Sequence, residues 1–309
     1  MSIEHKPVML DEVVENLAIK PDGIYIDGTF GGGGHSEAIL AQLKAEGHLL
    51  AIDRDPLALE IAHEKFGGDK RFSVEQASFA QLNKLAKVRG WSGKVNGILL
   101  DLGLSSLQLD DAKRGFSFMR DGPLDMRMDP RIELNAASWL ARVKETHLAE
   151  VLRTYGEERY ARRIARHIVA ERHLKAITTT SQLVEIIKAA APTQEKHKHP
   201  ATRTFQAIRI FINRELDELK EFLENCLEML ATGGRLVIIS FHSLEDRIVK
   251  RFMHKQAKGE QLPTRLPIRK QQLLVNMRCI NGVIKASDKE ILNNPRARSA
   301  VLRVAEKII

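Results

Sequence analysis

Ile24-Tyr-Ile-Asp-Gly-Thr-Phe-Gly-Gly-Gly-Gly-His-Ser36, followed by Leu50-Ala-Ile-Asp-Arg-Asp55, decides the fold class. An apolar run ends in Asp27, a glycine-rich turn follows, a helical stretch begins near Ser36, and a second apolar run ends in Asp53. This is a strand–turn–helix–strand unit, the building block of a parallel sheet. Glycines let the backbone turn sharply and approach a ligand closely. Asp53 stands 22 residues after Gly31, where a nucleotide-binding sheet places the carboxylate that accepts from ribose hydroxyls. The unit therefore reads as a site for a ribose-containing ligand; the alternative is an ordinary glycine-rich turn.

Two nucleotide fingerprints are excluded by spacing. A dinucleotide motif needs glycines at its first, third and sixth positions. Counting from Gly31 the sixth is Ser36, and counting from Gly32 it is Glu37. A phosphate-cradling loop needs Gly-Lys-Ser/Thr after four intervening residues. Gly28 and Gly33 have the spacing, but Gly34 and His35 occupy the Lys and Ser/Thr positions, so the motif offers a phosphate no cation. An acid closing each of the first two strands around a glycine turn resembles instead the S-adenosylmethionine site of class I methyltransferases.

The 309 residues, 43% hydrophobic and 28% charged, suffice for a large core and exceed one simple domain. No apolar run reaches the roughly 18 residues of a membrane helix, and Met-Ser-Ile-Glu-His-Lys has no signal-peptide core, so a cytoplasmic protein is expected. Cys226 and Cys279 have no metal spacing and read as structural thiols; no metal is expected, and Lys196-His-Lys-His199 reads as surface or capping histidines. Charge is uneven: net −6 over residues 1–111, +8 over 112–211 and +6 over 212–309. The glycine-turn half is acidic and the rest basic, which points to a polyanionic partner held away from the cofactor; solvated helix faces are the plainer explanation.

Candidate strands at Ile24–Asp27, Leu49–Asp53, Phe72–Glu75 and Gly97–Asp101 alternate with helical stretches at Ser36–Leu43, Pro56–Phe66 and Phe79–Val88. Leu236–Ser240 and Ala300–Ile308 are further strands, and Asn213–Leu230 is an amphipathic helix with Leu216, Leu219, Leu223, Leu227 and Leu230 on one stripe. More than a hundred residues separate the fourth and fifth strands, too many for one crossover. Tyr155–Arg172 and Thr180–Ala191 read as helices there. The expected architecture is an α/β class I S-adenosylmethionine-dependent methyltransferase fold, Rossmann-like with a mostly parallel sheet, formed by 1–111 and 212–309, with an inserted all-helical substrate domain at 112–211.

Asp101-Leu-Gly-Leu-Ser-Ser-Leu-Gln108 follows the fourth strand, whose carboxyl end faces the ligand crevice in such sheets. Amino-methyltransferases carry Asp/Asn/Ser-Pro-Pro-aromatic here; this chain keeps the acid and has Leu-Gly-Leu, so no base-stacking aromatic is assigned. Arg114–Asp129 has no helix or strand period and mixes aromatics, methionines and charges, which reads as an active-site loop over cofactor and substrate, with a packed connection as the alternative.

His5-Lys-Pro-Val-Met-Leu10, Asp27–Ser36, Ala51-Ile-Asp-Arg-Asp-Pro56, Leu100–Ser106, Arg114-Gly-Phe-Ser-Phe118, Asp121–Met128, His199-Pro-Ala-Thr-Arg-Thr-Phe-Gln206, Ile239-Ser-Phe-His-Ser-Leu-Glu-Asp-Arg247 and Asn294–Ser299 together resemble the bacterial RsmH (MraW) family, from near residue 5 to near residue 305. The resemblance implies methylation of the N4 amine of a decoding-site cytidine in 16S rRNA, with S-adenosylmethionine as donor and an assembled small ribosomal subunit as partner. It implies cofactor contacts from Gly33, Gly34, His35, Asp53, Phe79, Asp101 and Gln108, with Asp101 accepting from the target amine and Ser105 and Ser106 assisting. A cysteine-dependent C5 mechanism is disfavoured, since neither cysteine follows a proline. Arg159, Arg162, Arg163, Arg166, Arg203, Arg209, Arg296, Arg298 and the Arg247–Lys270 stretch are expected to meet RNA phosphates. The rivals are a methyltransferase acting on a protein or small molecule, and a non-catalytic ribosome-assembly factor.

Overall fold

The computed structural model describes residues 7–191, 199–259 and 275–309. Ile24–Asp27 (β1), His48–Asp53 (β2), Phe72–Gln76 (β3), Val95–Asp101 (β4) and Leu230–Ser240 (β5) pair in parallel, and Met277–Lys285 (β6) and Val301–Lys307 (β7) add antiparallel pairs. The order is β3-β2-β1-β4-β5-β7-β6. Both faces of the sheet are covered, which is why its central strands read as continuous apolar runs. Side chains alternate between the faces. Ile98 and Leu100 share one core with Leu219, Phe222, Leu223 and Cys226 of Glu215–Met229, whereas Leu99 shares the other with Val13 and Leu17 of Leu10–Leu17 (α1) and with Ile39 and Leu40 of Gly34–Leu40 (α2).

The remaining helices of this part are Pro56–Phe66 (α3) and Leu82–Val88 (α4). The α3 start is written locally: Asp55 accepts from the Leu57 N–H at 3.2 Å, and Pro56 takes a position where a missing N–H costs nothing. The chain divides into two compact units, Met1–Gly103 with Leu216–Ile309, and Leu104–Glu215. The second unit holds Ser106–Asp110 (α5), Ala136–Arg142 (α6), Glu145–Gly156 (α7), Ala161–Leu174 (α8), Thr180–Ala190 (α9) and Thr202–Asn213 (α10). The first resumes in Glu215–Met229 (α11) and continues through Ser243–Lys258 (α12) and Asp288–Asn293 (α13).

These limits lie outside the expected 112 and 211, for packing reasons. Leu104 and Leu109 pack on the helical core, Ile212 is buried in it, and Asn213 accepts from Met128 N at 2.7 Å and donates to Met126 O at 2.8 Å. The helix read over Tyr155–Arg172 is two helices, because Glu157 takes a left-handed φ of 49° after α7 and α8 starts at Ala161.

The Arg114–Asp129 loop is corrected more deeply. Phe116, Leu124, Met126 and Met128 are buried in the core of the helical unit, and Arg114 donates to the carbonyls of Arg127 and Met128. Most of its large apolar side chains build that core, only Met119 among them standing exposed, so the packed-connection reading accounts for its composition. Cys226 is a buried thiol with its pKa pushed up to about 12 by desolvation, while Cys279 is exposed on β6. No helix among the described residues is long and apolar enough to cross a membrane. Lys196–Lys198 and the part of the Arg247–Lys270 stretch beyond Gly259 lie outside the described residues.

Candidate active site

Asp27, Asp53, Gln76, Asp101 and Ser240 are the last residues of the five parallel strands, so all five lie on one edge of the sheet. β1 has β2 on one side and β4 on the other, the reversal of strand order that opens a crevice beyond the strand ends. The glycine turn occupies this place. Phe30 N donates to Ile52 O at 3.0 Å, and Gly31 N donates to Asp53 Oδ2 at 2.8 Å. Gly33 has a φ of +82°, and a Cβ there would stand 2.5 Å from Cζ of Phe30, itself wedged against Phe66 and Phe72. Gly32 faces open space. One cation does reach the turn: Lys65 Nζ donates to the Gly32 carbonyl at 3.0 Å.

Asp53 also accepts from Asp55 N at 2.9 Å, and burial raises its pKa. Each carboxylate oxygen therefore holds one backbone N–H and keeps acceptor capacity. Asp27 is buried, accepts from Ser36 Oγ at 2.7 Å and Thr29 N at 3.1 Å, and is pushed up to about 6 by desolvation. His35 is buried, with Nε2 3.0 Å from the Val8 carbonyl, and burial lowers its pKa to about 4. It is therefore neutral near pH 7. The carbonyl can only accept, so Nε2 carries the proton and Nδ1 is bare. Nδ1 stands 3.8 Å from Asp101 Oδ2, too far for a hydrogen bond, and the neutral ring makes no ion pair.

Asp101 is fixed by its backbone, whose N–H donates to Thr29 Oγ1 at 2.6 Å. Burial, then the charges of Asp27 and Glu245, raises its carboxyl well above the ordinary carboxylate range. Its Oδ1 is buried and has no hydrogen-bond partner among the described residues. Such groups are scarce in folded proteins, and each calls for an explanation.

Phe79 starts a short 3₁₀ turn after β3, set by a reciprocal cap between Ser78 and Gln81. Its half-buried ring meets Phe222 edge-on at 6.1 Å, and the Arg54 guanidinium lies 5.8 Å from its centroid. Glu218 of α11 binds both Arg54 and Ser78, tying the segments on either side of this ring together. Gly33, Gly34, His35, Asp53, Phe79 and Asp101 thus all belong to the first unit. Ser105, Ser106 and Gln108 begin the second. Ser105 Oγ accepts from Gln108 N at 3.3 Å and Gln108 Oε1 accepts from Ser105 N at 3.1 Å, a reciprocal cap on α5.

Sequence reasoning missed Thr29, Glu218 and the pair His242 and Glu245. Only the last left a local trace, a polar residue followed three later by Glu directly after a buried strand.

The MraW methylase family matches residues 2–308. The chain belongs to that family. A protein of Coxiella burnetii (strain RSA 331) named ribosomal RNA small subunit methyltransferase H is 56% identical to this methylase over 304 residues, covering 98% of this chain and 99% of the relative. A protein of the same name from Nitrosococcus oceani is 55% identical, covering 98% of this chain and 96% of its own. A solved rRNA methylase from Streptococcus thermophilus is 12% identical with a TM-score of 0.43 over the whole of both chains, too slight a likeness to transfer any feature.

Proposed function

We propose that this methylase transfers a methyl group from S-adenosylmethionine to the exocyclic N4 amine of a decoding-site cytidine in 16S rRNA, acting on assembled small ribosomal subunits in the cytoplasm. The methyl-transfer class follows from family membership, and the names of the two relatives support ribosomal RNA as acceptor. The observation that carries the reading is Asp101, a strand-end carboxylate beside the glycine turn with a buried, unpartnered oxygen.

The first unit fits the cofactor. Asp53 keeps an acceptor on each oxygen for a ribose diol, Gly32 and Gly33 leave the turn bare of side chains, and part of the Phe79 ring remains exposed for an adenine. His35 spends Nε2 on Val8, so its contact would come from its backbone or from the bare Nδ1. Cofactor contacts are assigned to Gly33, Gly34, His35, Asp53, Phe79, Asp101 and Gln108, and catalytic ones to Asp101, Ser105 and Ser106, following the family resemblance.

S-adenosylmethionine supplies a methyl group activated by its sulfonium. The N4 lone pair is delocalised into the cytosine ring, so the protein must hold the amine in line and favour a tetrahedral nitrogen. Asp101 accepts a hydrogen bond from the amine and takes the proton that nitrogen loses once it has bonded to the methyl carbon. A carboxyl raised by burial, and further by the charges of Asp27 and Glu245, is a better proton acceptor than an ordinary one.

Charge supports an RNA acceptor. α8 buries Ile164, Ala165 and Ile168 and exposes Arg162, Arg163 and Arg166, with exposed Arg159 just before it. Arg209 is not available, being paired with Glu215 through two bonds of 2.8 Å. Replacing Arg162, Arg163 and Arg166 together by Gln should flatten the dependence of log affinity on log salt by about 2–3, at about 0.7–0.9 per phosphate contact. Equal slopes in a salt titration of subunit binding would remove this helix from the RNA footprint.

The deciding test is nucleoside mass spectrometry of 16S rRNA from a deletion strain, before and after treating its small subunits with the protein and S-adenosylmethionine. N4-methylcytidine at the decoding site is the expected product. Its absence with cofactor binding intact would move the acceptor to a protein, a small molecule or no acceptor at all.

A further inference from the structure

Ser240-Phe-His-Ser-Leu-Glu245 ends β5 and starts α12, and only the charge of Glu245 enters the mechanism above. It leaves the sheet beside Asp101: Ile239 is the register partner of Asp101, and Leu102 N donates to Ile239 O at 3.0 Å. Glu245 is 2% exposed, and its Oε2 accepts from Phe241 N at 2.9 Å and His242 N at 3.4 Å. After burial and the charge of Asp27, its charge adds to the upward shift of the Asp101 carboxyl.

His242 caps α12. Its Nδ1 faces the Glu245 N–H at 3.4 Å as acceptor, which leaves Nε2 as the ring nitrogen that carries a proton. Nε2 lies 3.1 Å from Glu245 Oε1 without making a hydrogen bond to it, and has no other partner among the described residues. The rim therefore carries a buried acceptor, Asp101 Oδ1, and a buried donor, His242 Nε2–H, at the adjoining ends of β4 and β5, neither with a hydrogen bond among the described residues. Ser240 Oγ, at the end of β5, is a third buried polar atom without a partner among the described residues.

Cytosine shows an amine donor next to a ring-nitrogen acceptor. Uracil shows the reverse, a carbonyl acceptor next to a ring N–H. We propose that Asp101 and His242 together read the amine and N3 edge of the target base, Asp101 accepting from N4–H and His242 Nε2–H donating to N3. The inference rests on the cytidine reading given above. His242 then selects for cytosine over uracil, since uracil would set donor against donor and acceptor against acceptor. Adenine shares the amine and ring-nitrogen edge, so this pair alone does not reject it.

His242→Asn tests the assignment, because Asn is a good helix N-cap but is too short to place a donor where Nε2 stands. The acceptors are undermethylated small subunits, and subunits reconstituted with 3-deazacytidine at the target, where C–H replaces N3. With cytidine, His242→Asn is expected to lower kcat/KM roughly 10- to 100-fold with S-adenosylhomocysteine affinity unchanged. The 3-deaza substitution should cost the wild-type protein a similar factor and cost His242→Asn little more. Wild-type rates for the variant, an equal 3-deaza penalty in both proteins, or loss of cofactor affinity with turnover would each overturn it. Failure of the wild-type protein to methylate either acceptor would instead overturn the cytidine reading itself.

Discussion

Asp101→Asn is expected to lower kcat by about 10²–10³, the usual cost of removing a transition-state hydrogen-bond partner, while S-adenosylhomocysteine affinity stays within about threefold. Asn keeps the shape but cannot take the proton the amine must lose. No hydrogen bond between the Asp101 side chain and the glycine turn accompanies its backbone contact to Thr29 among the described residues, so the cofactor-binding turn should survive. Two further readouts separate a catalytic loss from a damaged fold. The wild-type rate should fall as pH falls, because the acceptor must be ionised, with its midpoint well above the ordinary carboxylate range. The variant should also be more stable than wild type at pH 8. A carboxyl whose folded pKa is raised stabilises the protein below its unfolded pKa and loses that contribution as pH rises through the folded value. Asn is never charged, and it escapes repulsion from Asp27 and Glu245. Turnover and cofactor affinity falling by the same factor would end the catalytic assignment.

The parallel sheet was legible because its central strands are buried on both faces and three of them, β1, β2 and β4, close on acids. Ile24–Asp27 and Pro56–Phe66 match the expected limits, and the family and fold class stand as the motifs implied. Where the reading failed, burial or distance hid the signal. β6 is an edge strand on which Met277 alone is buried, so it has no apolar rhythm. The Arg114–Asp129 loop has apolar residues without a period because Gly115 and Met126 take left-handed backbone angles and turn single side chains into the helical core. Asp53 and Asp101 could be found as strand-end acids, but their surroundings could not. Glu218 reaches Arg54 and Ser78 from more than a hundred residues away, and Glu245 reaches the neighbourhood of Asp101 only because β5 lies against β4. Pairings of that kind are set by sheet order, which no local pattern encodes.

Asp53→Asn should give the opposite signature, a loss of cofactor affinity of about 100-fold with kcat at saturation within about threefold. Both oxygens of this carboxylate already accept a backbone N–H, from Gly31 at 2.8 Å and from Asp55 at 2.9 Å. Asn offers one oxygen and one NH₂, so in either flip a backbone N–H meets a donor. If the NH₂ faces Gly31, the turn keeps only the Phe30 N–Ile52 O bond of its two ties to β2; if it faces Asp55, the segment before α3 loses its hold on Asp53. The ribose loses one of two charge-assisted acceptors in both cases, and such bonds are worth about 1.5–3 kcal/mol each. Calorimetric titration with S-adenosylhomocysteine reads the affinity, and subunit methylation at saturating cofactor reads the turnover. The two acids end the strands on either side of β1 on the same edge, so their separation is a strong demand on the site. Asp53 must act on binding through the turn it holds, and Asp101 on the reaction through the oxygen it leaves unpaired. Variants that fail in the same way would mean that the rim behaves as one structural block and that neither carboxylate has a role of its own.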